Sequence, residues 1–309
     1  MKSMREEDKS KKYTIQKTLY KNNTICIYKG IDKYCNNDVI IKYESKPLTG
    51  EKTKTIIETE HKILSKLREV KKIPKIVDTY NDRLYNYLVI NYLGKDLDYL
   101  LKLQRTSKTT SPNFSLGFCA FFMTETIPIL SDIHKYSVFH CDIKPSNFIF
   151  NSKENQIYLI DFSVAQTETN SKLCLVGTPK FCSYHCHECA VYSPRDDLIS
   201  LGYVMLYFYL GYLPWQKDHL IHSSKNYSLK KVKNKKKDLL SFLKDVAGPI
   251  PEEICIFFNY ALSLSINDEV DYKMLYLLFA RLLNTLKYTK ETLASETRLP
   301  NKNNLLYTI

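Results

Sequence analysis

The stretch from residue 140 to residue 163 constrains this chain more than any other. The run His140-Cys141-Asp142-Ile143-Lys144-Pro145-Ser146-Asn147 places a base and an amide two and five positions beyond the acid Asp142. It follows an apolar, helix-like segment. Nineteen residues past Asp142, after the apolar run Ile157-Tyr158-Leu159-Ile160, a second acid stands in Asp161-Phe162-Ser163. A polar loop between apolar segments must find partners for its side chains, since a buried polar group left unpaired costs roughly 1–3 kcal/mol.

Length and composition bound the rest. At 309 residues the chain fits one large domain or two lobes sharing a cleft. A hydrophobic content of 44% with 25% charged residues is that of a globular protein and excludes a disordered one. The net charge of +12 predicts attraction to acidic partners, whether phosphates, acidic peptides or nucleic acid, without choosing among them. Residues 1–12 are charged and lack the apolar core of a signal peptide. Residues 198–215 are almost continuously apolar, but they follow Arg195-Asp196-Asp197 and contain Pro214. We read them as a buried core helix, since a membrane span needs about 20 apolar residues. Nine irregularly spaced cysteines indicate free thiols in a reducing compartment.

Hydrophobic period divides the chain. Thr24-Ile25-Cys26-Ile27-Tyr28 and Val39-Ile40-Ile41-Lys42-Tyr43 read as strands separated by the turn-rich Asn36-Asn37-Asp38, and residues 84–92 read as another strand. Residues 53–69 switch to a helical stripe of Ile56, Ile57, Ile63, Leu64 and Leu67. Beyond Gly94 the pattern is mainly helical: 97–104, 115–136 (with Pro128 expected to kink it), 197–211, 237–246, 251–264 and 272–286. Short strands are expected at 148–150 and 157–160. The prediction is an α+β chain, with a strand-rich lobe of about 80 residues carrying one main helix, then a larger helical lobe. Residues 288–309 read as a polar tail.

Phosphoryl transfer asks a protein to hold phosphates, neutralise their charge with metal and aim a hydroxyl. Each role has a candidate here. Lys42 ends a strand and can reach phosphates, and Glu60 opens the helical pattern Glu60-x-x-Ile63-Leu64-x-x-Leu67 and can pair with it. Asp142 can accept the hydrogen bond of a substrate hydroxyl, and Lys144 can balance the migrating charge. Asn147 and Asp161 offer oxygen ligands suited to Mg²⁺. Taken singly, each has a bland reading as a solvated or capping side chain. Taken in order they resemble the protein kinases, with His140 to Asn147 as H-R-D-x-K-x-x-N and Asp161-Phe162-Ser163 as D-F-G.

Further residues sharpen the resemblance. Leu93-Gly94-x-x-Leu97, Gly177-Thr178, Arg195-Asp196-Asp197-Leu198-x-Ser200-Leu201-Gly202-Tyr203, Leu213-Pro214-Trp215-Gln216 and Asp271-Tyr272-x-x-Leu275 together look like the casein kinase I family, over residues 13–287. As in that family, Ser183-Tyr184-His185 stands where other kinases carry A-P-E. The resemblance implies a kinase domain at 13–287, with an N-lobe at 13–90, a hinge at 91–94 and a C-lobe at 95–287. It implies a monomeric Ser/Thr kinase using ATP and Mg²⁺ on acidic or prephosphorylated proteins, active without activation-loop phosphorylation. Ile90 would be the gatekeeper, and Asn91 to Leu93 the adenine-binding hinge. The nucleotide set would be Lys42, Glu60, Leu19, Ile27, Ile40, Ile90, Asn91 and Leu93. Asp197 would anchor the catalytic loop. A phosphate-recognition patch would lie near Lys180, where the family tends to carry Arg; Lys keeps the charge without the bidentate fork.

Several residues depart from that pattern. Aligning Ile27 with the valine of G-x-G-x-x-G-x-V puts Tyr20, Asn22 and Ile25 on the glycine positions, and none of the eight glycines precedes Gly30. Side chains there are expected to obstruct the approach of backbone N–H groups to phosphates. Ile40 replaces the small residue over adenine and narrows that space. Cys141 replaces an arginine whose partner is a phosphorylated loop this family does not use, and Ser163 replaces a glycine hinge beside Asp161, with loop mobility altered and metal retained.

Two clusters stand apart. Cys182-Ser183-Tyr184-His185-Cys186-His187-Glu188-Cys189, with Cys174 nearby, reads as a thiol-rich loop or, alternatively, a Zn²⁺ site lacking a second spaced pair. Residues 225–237 hold seven lysines and read as a solvated basic loop or as a nuclear-import, acidic-substrate or nucleic-acid surface. The leading expectation is an ATP-dependent Ser/Thr kinase. The alternative is a pseudokinase or very weak kinase acting as a binding module, and a nucleic-acid-binding protein on the same scaffold comes third. No membrane association is expected, and residence is intracellular, with the lysine run favouring nucleus over cytoplasm.

Overall fold

The β-branched runs at the start of the chain pair into one antiparallel sheet. In the computed structural model, which describes residues 12–46, 55–81, 85–106, 113–167, 175–216, 225–246 and 250–297, the strands are β1 (Tyr13–Lys21), β2 (Ile25–Asp32), β3 (Asp38–Ser45), β4 (Ile76–Asn81) and β5 (Tyr85–Asn91), in the order β1-β2-β3-β5-β4. Helix α1 (Ile56–Lys66) follows β3. Its Thr55 cap and Glu58 form a reciprocal capping box, satisfying two N–H groups that the first turn leaves without helical partners. The face buried by α1 carries Ile57, Ile63 and Leu64, and also the charged Glu60.

These elements form the first of two compact units, residues up to Leu93 together with Ile160–Ala165. The second comprises Gly94–Leu159 and the chain from Gln166 onward. Residues 160–165 were expected within the C-lobe. They belong with the first unit because Asp161 meets Lys42 and the Phe162 N–H bonds Glu60.

The second unit has a small antiparallel sheet of β6 (Lys95–Asp96), β7 (Phe148–Asn151) and β8 (Gln156–Leu159). Around it lie α2 (Leu97–Thr106), α3 (Leu116–Lys135), α4 (Pro194–Leu210), α5 (Lys225–Lys237), α6 (Leu239–Asp245), α7 (Glu252–Ser263), α8 (Tyr272–Thr285) and α9 (Lys290–Thr297). Every residue of α4 from Asp196 to Phe208 is buried, so the apolar run beginning at Leu198 is core helix, as expected. Helix α3 continues through Pro128 and packs along α8. It is long and apolar enough to cross a bilayer by composition, but 61% of its apolar window is buried inside the protein. Phe114, Phe118, Phe122 and Phe208 join α3 to α4 through edge and stacked ring contacts, an arrangement aromatic quadrupoles favour.

Four features depart from the sequence reading. The strands β4 and β6 were not anticipated. Residues 225–237, expected as a solvated basic loop, form helix α5 with Lys236 fully buried. Residues 290–297, expected within a polar tail, form α9, pinned by buried Leu293 and by Glu296, which accepts from the Ser115 N–H at 2.7 Å and the Ser115 hydroxyl at 2.9 Å. Seven described cysteines are free thiols, but Cys189 is disulfide-bonded. Residues 1–11 of the expected N-terminal tail, Cys174 and residues 298–309 lie outside the described residues.

Candidate active site

In the first unit, strand register gathers most of the expected nucleotide-binding residues on one face. Directly opposed residues share a sheet face, as do residues two apart. Ile27 opposes Lys42, and Ile40 opposes Ile90, so Ile27, Ile40, Lys42 and Ile90 stand together. Leu19 lies outside this set, at an irregularity where β1 slips against β2, and is 48% exposed. Asn91 closes β5 with its side-chain oxygen accepting from the Lys75 N–H at 2.7 Å, and Leu93 ends the unit.

Lys42 is fixed by two acids. Its ammonium donates to both oxygens of Glu60, at 2.7 and 2.6 Å, and lies 3.6 Å from Asp161. Burial works against the charge on Lys42, but the two carboxylates outweigh it and raise its pKa. An ammonium held charged in this way is suited to phosphate oxygens. Asp161 itself has a left-handed backbone, φ 68°, directly before fully buried Phe162.

The hairpin between β1 and β2 satisfies its own amides. The Asn22 side-chain oxygen accepts from the N–H groups of Thr24 at 2.9 Å and Ile25 at 2.6 Å, and the Asn22 amide donates to the Tyr20 hydroxyl at 3.1 Å. This Asx turn explains how a glycine-free loop forms here. Tyr20, Asn22 and Ile25 all keep negative φ, so no strain is stored.

In the second unit, Asp142 is the centre of the catalytic loop. Its Oδ1 accepts from the Thr178 hydroxyl at 2.7 Å, and its Oδ2 from the Lys144 ammonium at 2.5 Å. The Asn147 amide N–H₂ donates to the Asp142 carbonyl at 2.8 Å, which turns the amide oxygen, the better metal ligand, toward other partners. Behind the loop, buried Asp197 accepts from the N–H groups of His140 at 2.7 Å and Cys141 at 3.0 Å, from the Tyr192 hydroxyl at 2.6 Å, and bonds His134 Nε2 at 2.9 Å. Burial opposes its charge, but His134 and Tyr192 hold its carboxyl below the usual range. Cys141, with φ 65°, is buried and its thiol donates to the Phe139 carbonyl. Gly177 packs on this turn: with φ 82°, a Cβ there would sit 2.2 Å from the Cys141 carbonyl oxygen.

Within the first unit Asp161 offers a carboxylate, and within the second Asn147 offers an amide oxygen whose nitrogen is already engaged, each a ligand type suited to Mg²⁺. A soft-metal site is not formed: among the described residues no group of three His, Cys, Asp or Glu side chains could hold a metal, so the zinc reading of residues 182–189 is not met.

The lysine run is largely engaged within the protein. Lys233 and Lys237 pair with Glu188 at 3.6 and 2.5 Å, Lys235 donates to the Pro214 carbonyl at 3.3 Å, and Lys236 donates to the Pro179 carbonyl at 2.7 Å and the Cys182 carbonyl at 2.5 Å. The run therefore ties α5 to the loop around residues 179–188. Sequence reasoning missed that role, and missed Thr178, Tyr192 and His134 as partners of the catalytic loop. Only the Gly177-Thr178 motif hinted at the first.

Comparison with known proteins agrees with this geometry. A family model described as a protein kinase domain matches residues 13–268. Casein kinase I homolog 1 of Schizosaccharomyces pombe is 29% identical over 279 residues, covering 86% of this chain and 59% of that protein, so the chain spans less than two thirds of that relative's length. The solved structure of vaccinia related kinase 3 superposes with a TM-score of 0.73 at 18% identity, covering 93% of this chain and 91% of that one, a likeness of fold.

Proposed function

Because this chain belongs to the protein kinase family, we propose that it is a Ser/Thr kinase that transfers the γ-phosphate of ATP to acidic or prephosphorylated proteins. The observation that carries the reading is the pairing of Asp142 with Thr178 and Lys144, an intact acid–base pair in a loop fixed from behind by Asp197. In the reaction a substrate hydroxyl attacks the γ-phosphorus as the bond to the ADP oxygen breaks. Asp142 orients that hydroxyl and takes its proton, and Lys144 offsets the charge moving onto the transferred group. Lys42, held by Glu60, binds phosphate oxygens on the nucleotide. When bound, Mg²⁺ supplies positive charge to those oxygens, and Asn147 and Asp161 would hold it.

Lys180 supports the substrate class. Its ammonium lies 3.8 Å above the Tyr207 ring, and the Arg105 guanidinium lies 5.2 Å from the same ring. Burial pushes the Lys180 pKa down to about 8, which still leaves it charged at neutral pH, and a bound anion would favour that charge. The shift also sets a sign. Because the folded value lies below the unfolded one of about 10.4, the unfolded chain binds more protons between the two, and the Lys180 contribution to stability rises across that window. The melting temperature of the native chain relative to Lys180→Met is therefore expected to move in favour of the native chain between pH 8 and pH 10. A constant gap would refute the shift.

The test of function is transfer of label from ATP, with Mg²⁺, to acidic, phosphoprimed and neutral peptides. Transfer to the first two above the neutral one is expected, and background transfer to all three would sink the reading. One observation favours the alternative of a very weak or binding-only kinase: the hairpin amides of Thr24 and Ile25 are already occupied by Asn22. Releasing them in Asn22→Gly should tighten ATP binding by at least about fivefold, since each of the two competing hydrogen bonds contributes about 0.5–1.5 kcal/mol. An unchanged Kd in an ATP titration would show that these amides do not limit binding. We place the protein in the nucleus or cytoplasm as a monomer. The internal engagement of the lysine run weakens the case for a nucleic-acid surface.

A further inference from the structure

The cysteine cluster at residues 182–189 has thiol chemistry available to it. Cys182 Sγ lies 3.5 Å from His187 Nε2 and 3.8 Å from the ammonium of Lys236. Lys236 reaches it through a wall of aromatic rings, with its Nζ 5.4 Å from the ring centroids of both Tyr203 and Trp215. A cation so placed repels a metal ion and attracts a thiolate. A proton leaving Cys182 has an acceptor in His187 Nε2, and the sulfur anion left behind faces the ammonium. Cys186, then His187 and Lys236, outweigh burial and hold the Cys182 thiol well below its ordinary range. Cys182 and burial push Cys186 up, so it stays a protonated thiol.

We propose that Cys182 is a peroxide-oxidised cysteine whose sulfenic acid is resolved by Cys186 into an intramolecular disulfide. The Cys182 thiolate attacks one oxygen of hydrogen peroxide; an S–O bond forms, the O–O bond breaks, and the departing hydroxide takes a proton from His187 to leave as water. Sulfur loses two electrons and peroxide gains them. The Cys186 thiol then attacks the Cys182 sulfur; an S–S bond forms, the S–O bond breaks, and hydroxide leaves with the Cys186 proton as a second water. Cys186 follows Cys182 by four residues, and its sulfur lies 3.4 Å from the hydroxyl of Ser183, the residue next to Cys182.

Oxidation here has a route to the catalytic loop. The Cys182 N–H donates to the Thr178 carbonyl at 2.9 Å, and the Thr178 hydroxyl donates to Asp142 at 2.7 Å. Drawing Cys182 toward Cys186 pulls on that connection, and loss of the thiolate removes a partner of Lys236. The proposal concerns thiol chemistry alone and holds whether or not the chain transfers phosphate.

The test treats the full chain with hydrogen peroxide and dimedone, followed by peptide mapping. The native chain should form a Cys182–Cys186 disulfide that dithiothreitol reverses, and Cys186→Ala should accumulate the dimedone adduct on Cys182. Cys119 and Cys141 serve as internal controls, since burial raises both thiols; they should react at least about tenfold more slowly, as thiolate character controls rate. His187→Asn and Lys236→Met should each slow oxidation of Cys182, and if Lys236→Met does not fold, His187→Asn suffices. Equal labelling of Cys119 or Cys141, a bond from Cys182 to Cys189, or no oxidation of Cys182 would overturn the proposal.

Discussion

Asp142→Asn is expected to lower the rate of phosphoryl transfer on the order of a thousandfold, within the range that loss of a positioned acid–base group produces. An amide is nearly the same size, so the fold should be kept. Its oxygen can still accept the Thr178 hydroxyl, which now lies 2.7 Å from Oδ1. The other atom becomes an NH₂ facing the Lys144 ammonium, now 2.5 Å from Oδ2, and two donors cannot share that contact. Lys144 must therefore swing away, so one substitution removes the proton acceptor and displaces the second catalytic side chain. The effect should fall on kcat, with KM for ATP nearly unchanged, because the Lys42–Glu60 pair is untouched. Adding Lys144→Ala should cost little more, since residues acting as a unit are strongly non-additive. Initial rates with labelled ATP decide the matter: more than a tenth of native activity in Asp142→Asn would remove Asp142 from its assigned role.

What could be read from the chain in advance follows from where the information lies. The catalytic loop was legible because its acid, base and amide have a fixed local spacing, and in the fold Asp142, Lys144 and Asn147 do bond one another. Lys42 and Glu60 were legible because strand and helix periods placed each on the correct element. Strand β4 was not, because Ile-Val-Asp-Thr-Tyr-Asn is short and polar, half exposed along its length, and becomes a strand only by pairing with β5. Helix α5 was missed for a related reason. Seven lysines in thirteen residues repel one another, and what permits the helix is a set of acceptors elsewhere, in Glu188 and the carbonyls of Pro179, Cys182 and Pro214. Those partners lie some 20 to 60 positions upstream, beyond the reach of any local pattern. The glycine-free hairpin shows the converse. The missing glycines were visible, but the Asx turn replacing them depends on the reach of one side chain.

Asp197→Ala is expected to lower the free energy of unfolding by about 3–5 kcal/mol, the cost of breaking a buried charged network by removing one member. The carboxylate is fully buried and has four partners: the N–H groups of His140 and Cys141, the Tyr192 hydroxyl and His134. Alanine leaves all four without it, and the loop that presents Asp142 loses its anchor. Asp197→Asn separates charge from shape. Its oxygen can serve Cys141 and Tyr192, and His134 can adopt the tautomer in which Nε2 accepts and Nδ1 donates to the Tyr272 hydroxyl, to which it is already bonded. The His140 N–H alone then faces an NH₂ group with no remedy, so asparagine should cost less than alanine but still more than about 1 kcal/mol. The pH dependence follows with a definite sign. Because the folded carboxyl titrates below the unfolded value, its stabilisation is complete above about pH 4 and is lost as pH falls further. The native chain should therefore converge on Asp197→Asn in strong acid and separate from it above that point. Urea unfolding at pH 7 and acid titration of the melting temperature read both effects, and a loss under about 1 kcal/mol for Asp197→Ala would mean that the catalytic loop is held by something other than this carboxylate.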